Sequence, residues 1–147
     1  MNVSVGLRES FFKALAVPEG SSLQQNIIKS ADALLVGGGG DELMVIPNGV
    51  IEGEAADLFS PLPERREVAV EHLAALWIAA KFWGTSTHRV SMLSLLTDIL
   101  LEAGLAGKVD EYGVLLQDTP ELVNRLYKTE MVLLRRSRFI VPCVSLR

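Results

Sequence analysis

Residues 64–83 read ERREVAVEHLAALWIAAKFW, and their character changes halfway along. The first turns mix acids and bases, whereas no polar side chain interrupts the run from Leu73 to Ala80. A helix without a polar face is buried on all sides, so this stretch predicts the central helix of a helical bundle, from about Glu64 to Trp83. Trp77, Phe82 and Trp83 supply bulk, while Ala74, Ala75, Ala79 and Ala80 leave room for neighbouring backbones. Gly84 ends the helix. A membrane span needs about 20 apolar residues, and here Glu71, His72 and Lys81 close a much shorter run, so no membrane crossing is expected.

Amphipathic helices are predicted around this core. Leu7, Phe11, Phe12 and Leu15 share a face in a first short helix over Val5 to Ala16, which Pro18 and Gly20 stop. Ser21 and Gln24 form an S-x-x-Q capping box ahead of Leu23, Ile27, Ile28, Ala31, Leu34 and Leu35 at helical spacing. After the central helix, Thr85, Ser86 and Thr87 are candidate N-caps for a helix that turns Met92, Leu93, Leu95, Leu96, Ile99, Leu100 and Ala103 to one side. Ser91, Ser94, Asp98 and Glu102 lie on the other. A short helix is expected over Asp110 to Leu116. Asp118-Thr119-Pro120-Glu121 combines a cap, a proline at the first helical position and an early acid, predicting a last helix from about Pro120 to Ser137.

Between the second and central helices, Gly37 to Gly40 stop helical structure because each glycine loses much backbone freedom on folding. The segment Glu42 to Ile46, the turn Pro47-Asn48-Gly49 and the return Val50 to Glu54 predict a β-hairpin. The apolar tail Phe139 to Val144 is a candidate C-terminal strand. The expected architecture is therefore mostly α: a compact bundle of five or six helices in a single domain over 1–147, with a small β-hairpin insertion near residues 42–54.

Composition narrows the function. The 147-residue chain is 49% hydrophobic and 22% charged, with a mean hydropathy of +0.30. Surplus apolar surface is seldom left exposed, which favours self-association or a protein partner. A net charge of −4 argues against wholesale electrostatic binding to nucleic acid. One cysteine, Cys143, allows no intramolecular disulfide and favours a reducing compartment, the cytoplasm. Met1 to Gly6 has neither the basic segment nor the apolar core of a secretory signal.

No catalytic or metal constellation emerges, and no cofactor is expected. The glycine run lacks the strand-to-helix setting and the flanking lysine of a phosphate loop, and acidic Asp41 and Glu42 follow it. His72 and His88 lack the partners a four-ligand metal site requires and are expected as solvated or hydrogen-bonded surface groups. Cys143 sits in an apolar tail, where a thiol behaves as a small hydrophobe.

The last helix carries the most information. At about 100° per residue, Arg125, Lys128, Arg135 and Arg136 fall within one arc, and Arg138 extends the charge beyond the helix. Leu122, Val123, Leu126, Leu133 and Leu134 fall on another. Glu130 lies on the apolar arc, where ion pairing is expected to compensate its burial. The basic stripe is a candidate site for nucleic acid or an acidic partner, although cations near a helix C-terminus also complement its dipole. The apolar surplus and the lack of a catalytic constellation lead us to expect a non-enzymatic interaction or assembly subunit that is oligomeric, joined through its apolar surface, the hairpin edge or the C-terminal tail. The alternatives are an accessory subunit of a nucleoprotein complex and a small-ligand-binding helical protein with a pocket lined by Trp77, Trp83 and Met92.

Overall fold

In a computed structural model, residues 6–35, 57–58, 62–84, 91–102 and 119–137 are described. Among them the regular structure is helical, in the order α1 (Leu7–Ala14), α2 (Ser22–Leu35), α3 (Pro63–Phe82), α4 (Met92–Glu102) and α5 (Thr119–Arg136). The predicted hairpin at 42–54, the short helix at 110–116, the C-terminal strand and the glycine run lie outside the described residues.

α3 is the axis of the bundle. Leu73 to Ala80 are all buried, and the helix packs mainly on α2 and α5, with a smaller contact to α1. Pro63 stands in its first turn, where its missing N–H leaves no bond unmade. All five helices contribute to one hydrophobic cluster, including Leu7 and Phe11 of α1, Ile27 and Leu34 of α2, Met92, Leu95, Leu96 and Ile99 of α4, and Leu122, Leu126 and Leu133 of α5. Leu93, expected on the apolar side of α4, is instead half exposed because no described neighbour covers its edge of the arc. No described helix is long and apolar enough to cross a membrane.

The helix ends follow local chemistry, with two corrections. At the start of α2 the Gln24 amide donates to Ser21 Oγ at 3.2 Å. The return bond of the capping box comes from the Gly20 amide to Gln24 Oε1, at 2.7 Å, one residue before the expected position. α4 is capped by Ser91, whose Oγ accepts from the Ser94 amide at 3.1 Å, rather than by Thr85, Ser86 or Thr87.

α1 stops before Pro18 and Gly20, at Ala16, which takes a left-handed φ of 56°. Ala16 N–H donates to the Lys13 carbonyl at 3.1 Å and Val17 N–H to the Phe12 carbonyl at 2.9 Å, while Phe12 and Val17 are both buried. That pattern is a Schellman cap with its usual apolar contact, closed by alanine where glycine is the common choice. α3 ends on the equivalent residue, Gly84, at φ +74°, donating to Lys81 O at 3.2 Å. A left-handed alanine costs roughly 1–2 kcal/mol, and glycine returns part of that as unfolded-chain entropy. Ala16→Gly is therefore expected to stabilise the protein by about 1 kcal/mol, and Gly84→Ala to destabilise it by a similar amount, both read from urea unfolding midpoints.

Candidate functional site

α5 buries Leu122, Leu126, Glu130 and Leu133 along one side, a row continued by Ser137 just past the helix; the spacing places Lys128 and Arg135 opposite that row and Arg125 and Arg136 on its flank. The structure treats those cations differently. Arg125 pairs with Glu121 at 3.7 Å, one turn away. Arg136 Nη2 donates to the carbonyls of Leu34, at 3.0 Å, and Leu35, at 3.4 Å, satisfying acceptors that the end of α2 leaves open. Lys128 and Arg135 are exposed and make no ion pair among the described residues. Arg138 lies outside them.

The same outward face carries apolar side chains that charge spacing does not reveal. Tyr127, Met131 and Val132 are 48%, 41% and 57% exposed. Tyr127 and Met131 stand one turn apart on one flank of Lys128 and Arg135, and Val132 lies on the other. The outer surface of α5 is thus a mixed patch of one aromatic, two aliphatic and two cationic side chains that make no ion pair among the described residues.

Glu130 reaches across to α3, where Lys81 Nζ lies 2.5 Å from its Oε1 and 5.5 Å from the centre of the Trp77 ring. The expected pairing of this acid is present. Its other oxygen, Oε2, is buried without a hydrogen-bond partner.

A second polar cluster joins three helices. Arg8 of α1 bonds Asp32 of α2 through Nη2, and its Nε donates to His72 Nε2 of α3 at 3.0 Å. Because the guanidinium can only donate, this geometry requires a lone pair on His72 Nε2 and places the proton of a neutral ring on Nδ1. His72 is 1% exposed, which corrects its expected surface location. Burial raises the Asp32 carboxyl above its ordinary pKa, a shift that the nearby Arg8 charge opposes. His88 and Cys143 lie outside the described residues, among which no three His, Cys, Asp or Glu side chains gather closely enough to hold a metal ion.

Beside it, a half-open cleft of about 520 Å³ lies between α1 and the start of α2, with Phe12, Val17 and Ile28 as apolar lining and Arg8, Glu9, Lys13 and Glu19 as charged lining. Lys13 is paired with Glu9 at 3.1 Å. The residues expected to line a ligand pocket are elsewhere: Met92 is fully buried, Trp77 is 5% exposed under Lys81, and the Trp83 indole donates to Ser30 Oγ at 2.9 Å.

No protein-family model matches this chain, and neither the curated proteins nor the solved structures yield a relative. Its function therefore rests on its own residues, and the α5 patch is the strongest candidate they offer.

Proposed function

We propose that this chain is a non-enzymatic protein-interaction or assembly subunit, oligomeric in its working form, with the outward face of α5 as its contact surface. The carrying observation is the exposure of Tyr127, Met131 and Val132 beside Lys128 and Arg135. Aromatic residues, methionine and arginine are enriched in protein interfaces, where a polar rim surrounds an apolar centre. The surplus hydropathy of the whole chain points the same way.

A nucleoprotein role draws on the same two cations but gains less from the arrangement. Arg125 and Arg136 already have partners in the chain, and phosphate-backbone affinity grows with the number of cations that displace counterions. Small-ligand binding has the α1–α2 cleft as a candidate among the described residues, but its two cations, Lys13 and Arg8, are met by Glu9 and Asp32.

The test is native mass by sedimentation velocity across a range of protein concentrations. The wild-type chain is expected to associate, and Tyr127→Ser with Met131→Ser to weaken association while the helical content measured by circular dichroism is retained, because neither side chain belongs to the buried core. A chain that stays monomeric while binding single- or double-stranded oligonucleotides in a steeply salt-dependent way would replace this proposal with the nucleoprotein one.

A further inference from the structure

We infer that the occupant of the α5 face is a second copy of this chain, received on the outward side of the first half of α3; this rests on the preceding proposal. That side of α3 carries Glu64, Glu67 and Glu71, all exposed, with Val68, 50% exposed, among them and exposed Arg65 on the flank beyond Val68. None of the three acids makes an ion pair among the described residues. Glu67 and Glu71 stand one helical turn apart, a like-charge spacing that weakens a helix by a few tenths of a kcal/mol when nothing neutralises it.

The two faces match in charge and pitch. Glu64 and Glu71 are separated by two turns, about 10.5 Å along the axis, with Val68 between them. Lys128 and Arg135 have the same separation on α5, with Met131 and Val132 between them. Each helix therefore presents two like charges at one repeat with exposed apolar side chains in the gap, and the signs are opposite. The helix dipole explains an acid in the first turn of α3 and a base in the last turn of α5. It does not explain Glu71 in the third turn or the exposed apolar side chains between the charges.

An interface between two different faces of one chain is isologous when two copies exchange it reciprocally, and otherwise heterologous, closing into a ring or extending into longer assemblies. Surface ion pairs are individually weak and screened by salt. The contact should accordingly be reversible and looser at high ionic strength.

The experiment uses the full chain, with association followed by sedimentation velocity at low and high salt. Lys128→Glu with Arg135→Glu, and separately Glu64→Lys with Glu71→Lys, should each weaken self-association at low salt by about tenfold or more. An equimolar mixture of the two reversed proteins should associate again, because each now offers the charge the other lacks. That recovery also shows that both variants are folded. Failure of the mixture to recover, or unchanged association after reversal on α3, overturns the inference. If serine substitutions at Tyr127 and Met131 abolish association while reversal on α3 does not, the α5 surface stands and only the assigned partner face falls. If no change on α5 affects association, both proposals fall.

Discussion

Lys81→Met is expected to destabilise the protein by about 2 kcal/mol, whereas Glu130→Leu, which breaks the same ion pair from the other end, should be neutral or stabilising. The asymmetry comes from burial. The Glu130 side chain is 12% exposed and that of Lys81 41%. Removing the ammonium leaves a carboxylate among apolar neighbours, with Oε2 already lacking a partner and Oε1 newly deprived of one. A fully buried pair broken this way costs about 3–5 kcal/mol; access of water to the Lys81 side reduces that figure. The loss also includes the cation–π contact with Trp77, worth about 0.5–1 kcal/mol. Removing the carboxylate returns Lys81 to solvent and extends the apolar row of Leu126 and Leu133 by one side chain. Urea unfolding of both single variants and of the double variant separates these contributions. Equal losses from the two single substitutions would show instead that the pair itself is a net source of stability.

The helices were legible where their causes are local. The unbroken apolar run of α3, the Ser21 cap and the proline-led start of α5 are each contained within a few residues, and the structure places those elements accordingly. Where local cues compete, the sequence misleads. Pro18 and Gly20 are the conspicuous breakers after α1, yet the chain turns earlier, at an alanine whose left-handed φ has no compositional marker. Thr85, Ser86, Thr87 and Ser91 all carry hydroxyls able to cap a helix, and periodicity alone does not choose among them. Leu93 shows the limit of angular reasoning: its angle fits the apolar arc, but whether an edge position is covered depends on the neighbouring elements.

The candidate site was legible in direction but not in detail, because its partners come from distant parts of the chain. Charge spacing located the cationic face of α5, but Arg136 is bound to carbonyls 101 and 102 residues earlier, and no local pattern anticipates that. His72 similarly owes its environment to Arg8, 64 residues away. Glu130 was the exception, since a carboxylate among leucines on one helix face already demands a cation. The exposed apolar flank formed by Tyr127 and Met131 had a visible signal, their spacing of four residues, which the stronger pattern of leucines and cations obscured.

The largest loss is expected from Leu76→Ala, about 3 kcal/mol, because Leu76 is fully buried and truncation leaves a cavity that close-packed neighbours fill only in part. Ala79→Leu changes volume in the opposite direction and should also destabilise, by about 2 kcal/mol, since Ala79 is fully buried on a helix packed between others. Urea midpoints of the two variants test whether α3 is tightly fitted on both counts. A tolerated Ala79→Leu would reveal unfilled space beside the helix and contradict the proposed role of its alanines as points of close approach. Domains of ordinary stability hold roughly 5–15 kcal/mol against unfolding, so either core variant would remove a large share of it and lower the amount of folded protein. Reduced association by such a variant would therefore report on folding, whereas substitutions at Tyr127, Lys128, Met131 and Arg135 change the outward surface while leaving the α3 core in place.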